Sequence, residues 1–320
     1  IGRAESATAS MSVGEYLDMV NNFKATPGNE PNENYARELM QLFTIGLVQL
    51  NPDGTVPTDG TGAPIPTYGQ DDVLALARAL TGWTYGDTIA GNPNGQNGRN
   101  YNFPMEPVES LHDTGSKTFL GQFVPAGQTA TQDLDRSLQI IFNHPNVGPF
   151  ICKNLIQQLV TSNPSPAYVQ RVAGVFANNG SGVRGDLRAV VRAILKDTEA
   201  ALGQPTSGHL REPVLFMTNV LRSLNATVAD HPILTDGSEE MAQRIFYSPS
   251  VFSYFSPHFR VYFIDAAASE IYTTFTALRR PNWIARLLNG GYGADIVIDY
   301  TSWTAAAADV NTLVDLCNST

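Results

Sequence analysis

Asn32–Gly46 (NENYARELMQLFTIG) and Thr67–Trp83 (TYGQDDVLALARALTGW) are the segments whose reading decides the fold. In the first, Tyr35, Ala36, Leu39, Leu42 and Phe43 recur at spacings of three and four, which makes one apolar stripe along a helix. Pro31-Asn32 reads as its start, with Asn32 as N-cap, and Gly46 as its stop. Glu33 falls in the first turn, where a negative charge suits the helix dipole, and can pair with Arg37 four residues on. In the second, Val73, Leu76, Ala77 and Leu80 form the stripe and Asp71 and Asp72 open the helix. Arg78 borders that stripe, and Gly82 ends the helix before Trp83.

Outward from these segments, the same periodicity predicts further helices near 12–23, 131–143, 147–161, 164–178, 184–197, 209–224, 239–246, 265–289 and 303–317. Strand signal is thin: FVPA near Phe123 and VIDY at Val297–Tyr300. Two long stretches, 47–68 and 84–130, are rich in Gly, Pro, Asn, Asp and Thr and read as loops, the second as an insertion. No repeat at a solenoid period is visible. The expected fold is all-α, an irregular multi-helix domain spanning 1–320 with two long loops and at most minor β structure.

NENYAREL-x-x-LFT-x-G followed by ARALTGW is similar to the bacterial family called domain of unknown function 1800. The resemblance continues through HDTGSKTFLG (His112–Gly121), His144-Pro145 with FICKNLIQQLV (Phe150–Val160), and NPSPAYVQRVAGVF (Asn163–Phe176). It runs on through GDLRAVVRAIL (Gly185–Leu195), REP (Arg211–Pro213) and SPSVFSYF (Ser248–Phe255), covering roughly 12–290. It implies a mainly helical, exported bacterial protein, often encoded beside a sulfatase-like partner, with no established activity. The chain departs from the family at Ser253–Phe255, where members usually carry a Gly-Trp pair. Members usually begin well upstream, so an N-terminal part is expected to be missing.

Composition narrows the function classes. Hydrophobic residues make up 42% and charged residues 16%, enough for a real core under a lightly charged surface. The net charge of −10 argues against nucleic acid and anionic membrane as partners, since both need a basic face. No apolar run reaches the ~18 residues that a membrane span needs. Cys152 lies in an apolar stripe and reads as a buried, inert thiol; a bridge to Cys317 is the alternative in an exported protein.

Two constellations are candidates for chemistry. His112 and Asp113, with Lys117, form the catalytic candidate: a His beside a carboxylate serves as a general base or as half of a metal site. Their spacing matches no known metal motif, and the favoured account is plainer: Asp113 caps a turn, His112 packs, Lys117 is solvated. Glu33, Arg37, Glu38 and Arg78, with Trp83, form the binding candidate, either a part-buried clamp between two helices or a site for an anionic or sugar ligand. The sequence names no cofactor; no nucleophile elbow, P-loop or dinucleotide fingerprint is present. GNPNGQNGRNYNF (Gly91–Phe103), near Tyr85, has the composition of a glycan- or calcium-holding loop or of a plain surface insertion.

The aromatic run SVFSYFSPHFRVYF, with Phe252, Tyr254, Phe255, Phe259, Tyr262 and Phe263, reads either as core or as an interaction surface. Two functions are therefore expected. The first is an exported structural or interaction protein of the envelope or extracellular space, with a protein partner or self-assembly. The alternative is an extracellular hydrolase or metal-dependent enzyme acting on polysaccharide or sulfated polymer, which requires His112 to converge with Glu33 or Glu38.

Overall fold

The computed structural model describes residues 11–86, 103–203, 207–256, 259–262 and 264–319. Mainly helical, it runs in chain order through α1 (Met11–Tyr16), α2 (Asn34–Gln41), α3 (Gln70–Ala79), β1 (Trp83–Thr84), β2 (Glu106–Pro107), β3 (Lys117–Phe119) and β4 (Gln122–Val124). Next come α4 (Ala130–Asn143), α5 (Val147–Leu159), α6 (Pro166–Ala177), α7 (Leu187–Lys196), α8 (Thr198–Leu202) and α9 (Pro213–Ser223). β5 (Thr227–Val228), α10 (Ile233–Glu240), β6 (Arg260–Val261), β7 (Ile264–Asp265), α11 (Thr274–Leu288), β8 (Ile296–Val297), α12 (Thr301–Ala306) and α13 (Val310–Ser319) complete it. The strands form four two-stranded antiparallel ladders: β1 with β2, β3 with β4, β5 with β8 and β6 with β7.

The sequence reads as one domain, whereas the chain divides into two compact units. Unit 1 is Ile1–Leu159 with Pro164–Gly203, and unit 2 is Val160–Asn163 with Gln204–Thr320. Each has its own apolar core. In unit 1 Tyr35, Ala36 and Leu39 of the α2 stripe and Val73, Leu76 and Leu80 of the α3 stripe are buried beside Phe119 and Val124 of the β3–β4 hairpin, with Met40 buried in α2 where Leu42 is half-buried and Phe43 exposed. Leu134, Ile141, Ile156, Tyr168, Val172 and Ile194 are buried in α4 to α7. In unit 2, Met217, Leu221, Ile233, Met241, Trp283 and Leu287 pack together.

The stretch 47–68 is ordered by its own short polar side chains. Asp53 Oδ1 accepts from Thr55 N at 2.9 Å, and Asp59 Oδ1 accepts from Thr61 N at 2.8 Å, two side-chain-closed turns. Buried Asn146 pins the stretch by donating to Ile45 O (2.9 Å) and Val48 O (2.8 Å) and accepting from Leu50 N (2.9 Å). The stretch 84–130 is likewise more than a loop. Among its described residues are β2, a 3-10 turn at Glu109–Leu111, and the β3–β4 hairpin. Leu120 (φ 49°) and Gly121 (φ 68°) form the tight turn of that hairpin. The Asn- and Gly-rich stretch 91–102 lies outside the described residues.

Three predicted helices move. The expected 239–246 helix forms at Ile233–Glu240 instead, since Ala242 and Phe246 take positive φ (67° and 66°) and cannot continue it. The 265–289 helix begins at Thr274, where Thr273 accepts from Thr276 N at 3.2 Å and caps it. The 303–317 helix splits into α12 and α13.

Candidate functional site

The stretch from His112 to Leu120 is held against two helices of unit 1, α3 and α4. At the start of α3, Asp72 Oδ1 accepts from Leu120 N at 2.7 Å and so fixes the hairpin turn. At the end of α3, Arg78 grips Asp113 with two bonds, Nε to Oδ2 at 2.7 Å and Nη2 to Oδ1 at 3.2 Å. From α4, Asp133 meets Lys117: Nζ contacts Oδ2, and it also donates to the Asp113 main-chain oxygen. Two glycines let the parts close up. A Cβ at Gly82 (φ +88°) would lie 3.0 Å from His112 N, and one at Gly115 would lie 2.8 Å from Arg78 Nη2.

The result is a chain of polar groups that runs inward from half-buried Arg78 and Asp113 to buried Lys117, Asp133 and His112. His112 is 1% exposed, Lys117 3% and Asp133 0%. His112 Nδ1 lies 2.9 Å from the Thr81 carbonyl, which only accepts, so Nδ1 carries a hydrogen. His112 Nε2 then faces Asp133 Oδ2 at 3.2 Å, although the geometry is not that of a hydrogen bond. Thr81 Oγ1 accepts from Asp113 N at 2.8 Å. For Asp113, burial acts to raise the carboxyl. The Arg78 guanidinium, the Gly115 amide and the Lys117 charge outweigh it and hold the group below its usual range.

Two sequence expectations change here. Lys117 is not solvated; it is buried. Asp113 and His112 do not aim at one point: the Asp113 carboxylate is held by Arg78 and Gly115, and the His112 ring faces Thr81 and Asp133. No group of three or more His, Cys, Asp or Glu suited to a metal ion occurs among the described residues. Asp133 was missed. Its signal was available in the register of α4, where Ala130, Leu134, Ser137, Leu138 and Ile141 share the buried face with it. A carboxylate inside an apolar stripe needs a cationic partner.

The second constellation comes apart. Glu33 and Arg37 pair at 2.7 Å as expected, and Gln70 of α3 joins them, donating to Glu33 Oε2 at 2.7 Å and accepting from Arg37 at 3.0 Å. Arg78 is eight residues beyond Gln70, about 12 Å along the helix at 1.5 Å per residue, and binds Asp113 instead. Glu38 is buried, with Oε2 unpartnered, and Tyr68 Oη is another buried oxygen without a partner. Burial raises the Glu38 carboxyl against the pull of Arg37. Burial also raises Tyr68, with the Glu38 charge adding to it. Trp83 is buried in β1. Glu33 is thus bound to Arg37 and Gln70, while the His112 ring faces Thr81 and Asp133.

Of the aromatic run in unit 2, Tyr262 and Phe252 are exposed while Tyr254, Phe255 and Phe259 are half-buried, and the most open apolar side chains otherwise flank the run. Phe246 is 95% exposed, Tyr262 91%, Tyr247 64% and Phe275 64%; Leu278 is also exposed. Arg244 stacks over Tyr247 at 3.9 Å and Arg279 over Phe275 at 4.4 Å. The same arginines pair with neighbouring Glu239 and Glu240, each at 3.7 Å. His258 and Phe263 of the run lie outside the described residues.

No helix among the described residues is long and apolar enough to cross a membrane. No curated protein and no solved structure matches the chain. The family model described as "Protein of unknown function (DUF1800)" matches residues 4–316, and the chain belongs to that family.

Proposed function

We propose that the protein is an exported structural or interaction protein of the bacterial envelope or exterior, and that it self-assembles through the aromatic–arginine face of unit 2. The observation that carries this reading is backbone conformation. Phe246 and Tyr262, the two most exposed aromatics of the region, both take positive φ, 66° and 49°. A bulky side chain pays conformational strain of order 1–3 kcal/mol there, and such strain clusters where the side chain has a task. Here the strained residues hold large apolar rings in water.

A second copy of the chain is the partner that suits this face. Arg244, Arg260, Arg279 and Arg286 each lie within ion-pair reach of Glu239, Asp265 or Glu240. The four arginines are thus offset by three carboxylates, which leaves little net charge to attract a polyanion and suits another near-balanced, apolar face. A twofold contact would bring the same patch to itself. The buried polar cluster in unit 1 is turned inward and supports an architectural role.

Sedimentation equilibrium tests the proposal. The natural chain should self-associate, and Phe246→Ser with Phe275→Ser should weaken association on the order of a hundredfold, since each truncation is lost twice in a twofold contact. A natural chain that stays monomeric at high concentration, or a variant that associates as before, would overturn it.

A further inference from the structure

We infer that Lys117 and Asp133 condense to an intramolecular isopeptide bond that joins the β3–β4 hairpin to α4. Their side chains are wholly shielded from solvent, and Nζ contacts Oδ2 directly. That contact sets the amine against the carboxyl carbon for as long as unit 1 stays folded, which converts a bimolecular condensation into an intramolecular one. The Asp113 main-chain oxygen accepts a hydrogen from Nζ and orients it. His112 Nε2 lies 3.2 Å from Oδ2 but makes no hydrogen bond to it and has its hydrogen on Nδ1, so the proton passes directly from Nζ to Oδ2. Asp133 Oδ1 is buried with no hydrogen-bond partner, a costly setting for half of an ionised carboxylate and a milder one for an amide oxygen.

The step balances without an oxidant or reductant. One ammonium proton passes to the carboxylate, and the freed nitrogen lone pair attacks Cγ. The Nζ–Cγ bond forms and the Cγ–Oδ2 bond breaks. Oδ2 leaves as water with two hydrogens that began on Nζ, and the third stays on the amide nitrogen. Two buried charges are replaced by one neutral amide, which removes the desolvation penalty of the ion pair.

The test is the intact mass of the full natural chain, denatured and reduced. The expected mass is that of the sequence less one water, with a branched peptide after digestion that links the segments holding residues 117 and 133. A mass equal to that of the unmodified sequence overturns the inference. So does a water loss that maps elsewhere, such as to the Asp-Gly pairs at Asp53 or Asp59. Asp133→Asn gives an independent reading: the folded variant should lose one ammonia in place of water within the same branched peptide, and a folded variant of full mass counts against the bond.

Discussion

Glu38 keeps a carboxylate where a neutral acid fits better. Burial raises its folded value above the unfolded one, so its contribution to stability is whole below the unfolded value and is lost as pH rises through the folded value. Glu38→Gln should therefore stabilise unit 1 at neutral pH by about 1 kcal/mol, a rise of roughly 2–4 °C in Tm, and the gain should fade toward pH 4. Thermal scans at the two pH values check this. Asp113 has the opposite sign. Its folded value is depressed, so its contribution is present above the unfolded value near 4 and is lost as pH falls through the folded value. Asp113→Ala should cost about 2 kcal/mol at neutral pH, reduced from the full value of charge-assisted bonds because Arg78 is partly open to water, and less in acid; urea titration reads it directly. Cys152 is buried, its thiol pushed up to about 12, whereas Cys317 is exposed, and both are free. A maleimide should modify one thiol in the native chain and two in denaturant.

At the scale of elements, the hairpin is the part that periodicity could not show. Three-residue strands are too short to display an alternating pattern, and Leu120-Gly121 is not one of the residue pairs that announce a tight turn. Its anchors are side chains from α3 and α4, contacts between segments 16 to 48 residues apart. Local spacing carries no information about such partners, which is why Lys117 reads as solvated and Asp133 draws no reading from the sequence. The helices with regular stripes were legible: α2 and α3 fold where Tyr35, Leu39, Val73 and Leu76 placed them. Gly121→Val isolates the turn, because nothing lies within 4 Å of a Cβ there and only the backbone conformation (φ +68°) is penalised. It should cost about 1–2 kcal/mol while leaving the fold intact, measured by chemical unfolding with the circular-dichroism spectrum as control.

For the whole molecule, the two groups of residues singled out from sequence differ in burial. The residues with the look of a catalytic group, His112, Asp113 and Lys117, are consumed in holding α3, the hairpin and α4 together. The aromatic run is divided: Tyr254, Phe255 and Phe259 are half-buried, Tyr262 is open to solvent, and Phe246, Tyr247 and Phe275 beside the run in unit 2 are exposed with it. Composition could not separate these outcomes, since a buried ion pair and a surface ion pair use the same residue types. Burial decides between them, and burial is set by the whole fold. Hydrogen exchange measured across protein concentration tests the account most directly. Protection should grow with concentration in the described residues between 244 and 278 and stay constant across 112–133, whose polar groups are already buried. Concentration-dependent protection centred on 112–133, with none between 244 and 278, would contradict it.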